Sequence, residues 1–426
     1  KDLGTASLSG ERYFSSEFMR KEWEQVWTKT WHFVMQAAEL DQPGAFYVHE
    51  LGKESFLFVR GADDQIRGFY NVCRHRGNRL CQVDEGVLES FTCPYHGWKW
   101  NNDGTLKQVA DPQFFRQFDN GVPEEDLGLV PVQVDIWEGW LWFNMDPECC
   151  SLKEFLGPIG EHLETYHFAD CTVLDFQTFE WHANWKHAWD AFNESYHFAE
   201  LHPNMIQIGE GHDIPIELYG IHSRMLNFNR TVSEVLEERS EWTELRRRFM
   251  LSEAALGPSP DPDAAQKSAI EIDGKPIDAK DMHMYEIEYR RSIEDETHLP
   301  FKEMNDEQLV HQYHYSFFPG VTFTQSADGG AIFRYRPHPT DPNRCFYDLF
   351  IFANLPPDMD APERPPHQIH RYEDGIDYVR VLESTFDPAY SKVVGEDASN
   401  MPTLQAGCQS DSFQGAILGE QEIRLR

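Results

Sequence analysis

Residues 73–100, CRHRGNRLCQVDEGVLESFTCPYHGWKW, set a Cys-x-His pair (Cys73 and His75) against a Cys-x-x-His pair (Cys93 and His96), with 17 residues between His75 and Cys93. Two thiolates and two imidazoles also make a tetrahedral zinc set. The grouping argues against zinc. Zinc fingers usually pair like with like, whereas each loop here supplies one thiolate and one imidazole. A [2Fe–2S] cluster in which one iron takes both thiolates and the other both imidazoles needs that mixed distribution, since each loop must reach both irons. Gly77 and Gly97 permit close backbone approach, and PYHGW makes a tight turn after Cys93.

The string C-x-H-(17)-C-x-x-H-G-W resembles the Rieske family. Two imidazoles in place of two thiolates reduce the negative charge on such a cluster and raise its potential, and it passes one electron at a time. Cys81 lies inside the stretch but outside the pattern and reads as a small buried side chain.

The rest of the chain has room for more than a carrier. Its 426 residues, 40% hydrophobic and 14% aromatic, are enough for a sizeable core and two or three domains. The 37 basic against 72 acidic residues leave a net charge of −35, which argues against nucleic acid or an anionic membrane as partner. No run approaches a membrane span, the start lacks a signal architecture, and the eight cysteines do not form a secreted disulfide framework, so the expected compartment is the cytoplasm.

Residues 12–32 carry apolar side chains at helical spacing and predict an opening helix or pair. From 33 to 145, short β-type runs (GAFYVHE, ESFLFVR, IRGFYNV, GWLWFNM) alternate with Gly, Asp and Asn turns, predicting a compact β domain with the Cys/His pairs on its loops. Charged helical stretches occupy 230–256 and strand patterns return at 308–354, with a last helical portion over 368–395. Helices around an antiparallel sheet, beside a separate β domain, give an α+β fold class. The expected divisions are a helical segment, 1–32, packing on the catalytic domain; the cluster domain, 33–150; and the catalytic domain, 151–426.

Something must receive the electron. WKHAWDAFNESYHFAELHPN (185–204) concentrates Asp190, Glu194, His197 and His202 within thirteen residues. On a regular helix Asp190, Glu194 and His197 share one face, whereas His202 lies about 140° around from His197. For both imidazoles to meet one metal the helix must widen or end between them, and Pro203 disfavours helical geometry at His202. Two His and one carboxylate on one side of an iron leave positions open for dioxygen, the facial triad of non-haem Fe(II) oxygenases. Two satisfied buried histidines are the plainer alternative.

The segment resembles the catalytic motif of Rieske non-haem iron ring-hydroxylating oxygenases (large, alpha subunit), D-x-F-x-[DE]-x-Y-H with a further His five residues on, and matches it at Asp190, Phe192, Glu194, Tyr196, His197 and His202. The resemblance implies a third iron ligand downstream, at Asp397 in VVGEDASNMPTLQAG (393–407), with Glu396 as its competitor. It also implies that Glu194 bridges the iron site to a cluster histidine, His96 or His75, of a neighbouring subunit, and hence a trimer, with or without a β subunit; many relatives have Asp at this position. Asp190 is then a supporting carboxylate. The implied cofactors are one [2Fe–2S] Rieske cluster and one mononuclear Fe(II) per chain.

These readings predict a terminal oxygenase component that takes electrons from a separate reductase or ferredoxin, since no dinucleotide fingerprint is present. Arg74, Arg76, Arg79 and Lys99 are candidates for docking that donor or for pairing with the chain's own carboxylates. Phe192, Phe198, Met205 and His314 are the candidate pocket residues, favouring an aromatic or hydrophobic ring as substrate; a ring-face cage for a methylated ammonium keeps N- or O-demethylation open. Residues 205–305 are expected to border the pocket mouth. The rival of another class is a Rieske carrier or sensor without catalytic iron; a zinc hydrolase would leave the cluster without a purpose.

Overall fold

The computed structural model describes residues 3–118, 121–123, 126–202, 214–227, 271–272, 275–276, 282–357, 359–371, 380–381 and 388–426. They divide into two compact units, Arg20–Phe155 with His338–Thr340, and Lys1–Met19 with Leu156–Pro337 and Asp341–Arg426.

The smaller unit is a β structure. Strands β1 (Trp31–Gln36), β2 (Ala45–Leu51), β3 (Glu54–Arg60), β4 (Ile66–Tyr70), β5 (Glu85–Val87), β9 (Pro131–Trp137) and β10 (Trp140–Asn144) form one sheet in the order β1-β10-β9-β4-β3-β2-β5, beside a three-stranded sheet of β6 (Ser90–Thr92), β7 (Lys99–Asn101) and β8 (Leu106–Gln108). In β3 Phe56, Leu57, Phe58 and Val59 are all fully buried, so this strand is covered on both faces and its apolar run needs no alternation. The opening helical pattern stops short of its expected end: helices Glu11–Phe14 and Ser16–Glu22 and a π turn at Trp23–Trp27 give way to β1 at Trp31. Pairing with β10 claims Trp31–Gln36, and tertiary context overrides the local period.

The larger unit carries an eight-stranded sheet. Strands β11 (Thr172–Trp181), β12 (Ile216–Tyr219), β13 (His222–Asn227), β16 (Gln312–Phe317), β17 (Val321–Ser326), β18 (Gly329–Pro337), β19 (Cys345–Ala353) and β20 (Ile369–His370) run in the order β12-β13-β16-β17-β18-β19-β11-β20; a separate hairpin joins β14 (Glu271–Ile272) to β15 (Lys275–Pro276). All pairs in the large sheet are antiparallel except β11 with β20. Helices Trp185–Ala191 and Pro388–Cys408 contact each other, and the former contacts β18 and β19. The architecture is α+β.

Two helical expectations shift. Of the helical portion expected over 368–395, Ile369–His370 is a strand, residues 372–379 and 382–387 lie outside the described residues, and Pro388 begins a helix that runs through Asp397 to Cys408. The charged stretch 230–256 lies outside the described residues, as does most of 205–305; its described parts include β12 and β13, which extend the sheet. No described helix is long and apolar enough to cross a membrane.

Candidate metal centres

Cys73 and Cys93 begin two turns of the same construction. Each cysteine carbonyl accepts a hydrogen bond from the glycine four residues on, Gly77 N and Gly97 N, both at 3.0 Å; each cysteine N–H closes the loop from the other side, onto Asn78 O at 2.7 Å and Trp98 O at 2.8 Å. Both glycines take positive φ, 74° and 72°, a conformation most side chains avoid. The thiols are buried, while His75 and His96 are half-buried with ring centroids 4.7 Å apart. Trp98 stacks on His75 at 4.7 Å and 6°. His75 Nδ1 is buried without a hydrogen-bond partner among the described residues, and burial pushes the Cys73 thiol up, so its thiolate needs a cation beside it. Two buried sulfurs below two rim imidazoles fit a [2Fe–2S] cluster with mixed ligands. Cys81 is buried nearby, its N–H donating to Asn71 Oδ1 at 2.9 Å and its thiol pushed up to about 11 by burial.

The second site follows from where a helix stops. Asn184 caps the start of Trp185–Ala191 by accepting from Lys186 N. Asn193 ends it, its Nδ2 donating to Trp189 O at 2.7 Å. Asp190 therefore shares no helix face with Glu194 and His197, contrary to the regular-helix expectation; a side-chain amide outcompetes the next turn. Glu194 then accepts from Tyr196 N and His197 N, and His197 and His202 flank the short helix Phe198–Leu201 as N-cap and C-cap residues.

Through this arrangement His197 and His202 meet Asp397. Their Nε2 atoms lie 3.7 and 3.2 Å from Asp397 Oδ1, and the three ligand atoms fall within 4.8 Å of one another. Each ring is held from its other nitrogen: His197 Nδ1 contacts Glu194 Oε1, and His202 Nδ1 lies 2.8 Å from Glu396 Oε2. An ionised carboxylate only accepts, so in the neutral form of each ring Nδ1 carries the proton and the Nε2 lone pair faces Asp397. Among the described residues, Nε2 of both histidines and Asp397 Oδ1 lack a hydrogen-bond partner. Lone pairs converging on a carboxylate fit a cation between them. Burial would lower His202 but the carboxylates of Asp397 and Glu396 outweigh it and raise its pKa; burial raises Asp397.

The adjacent carboxylates Glu396 and Asp397 thus take different places, one behind His202 and the other facing both imidazoles. Asp190 points elsewhere, accepting from Tyr13 Oη at 2.7 Å, and burial raises its pKa to about 6.

Glu194, His197 and Asp397 border a cavity whose empty space, open solvent at its mouth included, is about 570 Å³. Of the candidate pocket residues, Phe192, Phe198 and His314 line it; Met205 lies outside the described residues. Its floor also includes Met225, Asn227, Gln312, Thr324 and Phe333 on neighbouring strands, and Val393 and Val394 join Asp397 from the long helix. Gln312 was missed, although it lies two positions from His314 on β16 and strand alternation could have found it; β13, in a stretch without a motif, gave no signal for Met225 or Asn227. Among the basic candidates, Arg79 pairs bidentately with Glu50 at 2.9 and 3.1 Å, Arg74 donates to Asp126 O, and Arg76 lies over the Tyr95 ring.

Residues 163–426 match the model of the ring hydroxylating alpha subunit (catalytic domain), and residues 30–119 match the Rieske [2Fe-2S] domain. The chain belongs to the ring-hydroxylating alpha-subunit family. Among its relatives are the glycine betaine monooxygenase oxygenase subunit of Pseudomonas aeruginosa, 29% identical over 201 residues (47% of this chain, 46% of the relative), and the carnitine monooxygenase oxygenase subunit of Acinetobacter baumannii, 32% over 198 (45% and 51%). The biphenyl 2,3-dioxygenase subunit alpha of Rhodococcus jostii is 30% identical over 203 residues (46% and 43%). The chain thus spans about half the length of the curated relatives it matches. The family fold extends further: a quaternary ammonium Rieske monooxygenase in complex with L-carnitine superposes with a TM-score of 0.65 at 18% identity, over 99% of this chain and 93% of that one. Naphthalene 1,2-dioxygenase with indole bound gives 0.65 at 18%, over 97% and 84%.

Proposed function

We propose that this chain is a terminal oxygenase component that takes electrons from a separate reductase or ferredoxin through its Rieske cluster and oxygenates a small organic substrate in the cavity beside His197, His202 and Asp397. The observation that carries this reading is the convergence of two Nε2 atoms, unpartnered among the described residues, and a carboxylate oxygen, with His197 and Asp397 at the wall of a largely apolar cavity. Bound there, Fe(II) supplies open coordination positions for dioxygen. Glu194 and Glu396 keep the Nδ1 protons and fix the ring planes. Phe192, Phe198 and Phe333 offer ring faces to the substrate and exclude water, while Asn227, Gln312 and Thr324 provide the few polar contacts that orient it. Cys73, His75, Cys93 and His96 hold the cluster, and Glu194 lies on the electron route by touching His197 on one side and a neighbouring subunit's cluster histidine on the other, in a trimer working in the cytoplasm with or without a β subunit.

The apolar lining supports an aromatic or hydrophobic ring as substrate, with aromatic hydrocarbon catabolism as the proposed setting. A second reading, demethylation of a quaternary ammonium compound, is favoured by the betaine and carnitine oxygenase relatives, and the same ring faces suit a cationic head. Incubation with Fe(II), a surrogate reductase and NADH, against a panel of arenes and of trimethylammonium compounds, separates them. Ring diols or phenols support the first, and formaldehyde with a secondary or tertiary amine supports the second. No product from either panel, with oxygen uptake unaffected by His197→Ala, would overturn the oxygenase reading.

A further inference from the structure

The residues on either side of Glu194 are tied to one distant segment, the 3-10 turn Glu420–Leu425. Gln421 Oε1 accepts from Ser195 Oγ and from Ile214 N, both at 3.2 Å. Arg424 is buried and has no carboxylate within reach among the described residues; its Nε donates to Ser223 Oγ at 2.9 Å and its Nη2 to Ser316 Oγ and to His314 O. Ser316 Oγ in turn donates to Asn193 Oδ1. The polarity of this chain is forced. A guanidinium can only donate, so the Ser316 hydroxyl must turn its hydrogen to Asn193, which leaves the Asn193 amide to donate to Trp189 O and, at 3.3 Å, to Thr322 Oγ1.

Keeping an unpaired cation buried costs stability, and burial lowers Arg424 to about 9. Burying an apolar side chain at this place would avoid that cost but lose the hold on Ser316. Asn193, Ser195 and Ser316 are all within 2% of complete burial, so water offers no easy substitute for these bonds.

We infer that Arg424 and Gln421 are positioning residues that clamp the Asn193–Ser195 backbone and thereby aim the Glu194 carboxylate at His197 Nδ1. Arg424 acts on Asn193 through Ser316 and Gln421 acts directly on Ser195, so the two sides of Glu194 are fixed from one turn. The inference rests on His197 being a metal ligand as proposed above.

The test uses the full chain with Arg424→Met, Arg424→Lys and Arg424→Met combined with Glu194→Gln. Amide hydrogen exchange of residues 192–198 in metal-free protein reads the clamp itself, and Co(II) titration reads its hold on the metal site. Arg424→Met is expected to speed exchange there and to weaken Co(II) binding about tenfold, the scale on which losing an outer partner of a metal histidine acts. Arg424→Lys, which keeps a donor for Ser316, is expected to recover most of both. In the Glu194→Gln background Arg424→Met should weaken Co(II) binding no further, whereas general destabilisation would add. Unchanged exchange at 192–198, or additive losses in the double variant, overturns the clamp. A wild-type chain that binds no Co(II) overturns the oxygenase reading instead, and the clamp then stands or falls on the exchange data.

Discussion

In the cluster loops each Cys and its His are two or three residues apart and the turn between them is closed by the loop's own backbone, whereas 200 positions separate His197 from Asp397. A loop of the first kind is specified by short-range rules: a cysteine carbonyl, a glycine N–H and a positive φ recur at both Cys73–Gly77 and Cys93–Gly97. The second site exists only when the helix Pro388–Cys408 lies against the loop 193–202: that helix brings Asp397 and the Glu396 carboxylate that aims His202, while Glu194, which aims His197, sits in the loop itself. Local design makes a centre robust; distributed design makes it tunable and open to substrate. The two centres should therefore respond differently to damage.

The largest expected contrast comes from His202→Ala. Its Nε2 is one of three converging ligand atoms, so mononuclear iron and oxygenation should be lost while the cluster keeps its visible absorption. Loss of the cluster band in that variant would break the separation of the two centres. Glu194→Gln should weaken Fe(II) binding about tenfold, on the scale of Arg424→Met, and at saturating iron slow cluster oxidation in a single turnover by about ten- to a hundredfold, since the amide no longer fixes the His197 proton. A rate equal to wild type removes Glu194 from the route. Glu396→Gln sharpens the comparison within one site: only His202 loses its partner, so Fe(II) affinity should fall about tenfold with the cluster-to-iron rate at saturating iron nearly unchanged.

The smallest effect is on stability. Burial holds Asp190 at about 6, above its usual value. The folded chain then binds more protons than the unfolded one between about pH 4 and 6, so Asp190 favours folding below that window and its contribution declines as pH rises through it. Asp190→Asn, which can still accept from Tyr13, should remove this decline, worth at most about 3 kcal/mol. Parallel melting-temperature curves for the two proteins from pH 4 to 7 would show that Asp190 does not titrate there.

Legibility followed the same division. The proposed cluster ligands occupy one contiguous string whose mixed grouping argues against a zinc finger, so chemistry alone points to them. His197 and His202 were visible as residues, but the break ahead of them, where Asn193 binds Trp189 O and separates Asp190 from their face, is a local competition that periodicity does not register. Glu396 and Asp397 are neighbours in sequence, and only their side-chain directions, about 100° apart on a helix, separate the group facing the imidazoles from the one behind His202. The strand β13, which brings Met225 and Asn227 to the cavity, and the turn Glu420–Leu425 carry no motif; their roles arise from sheet pairing and docking. The opening helix ended early for a related reason, as pairing with β10 outweighed a helical pattern.

The central claim is that one chain holds a locally built cluster and a separately assembled iron site. Iron and acid-labile sulfide, counted per chain on wild type and His202→Ala after reconstitution with Fe(II), test it most directly. The account predicts about three irons and two sulfides in wild type, and about two of each in the variant. Two irons and two sulfides in both proteins would contradict it and leave an electron carrier or sensor in its place.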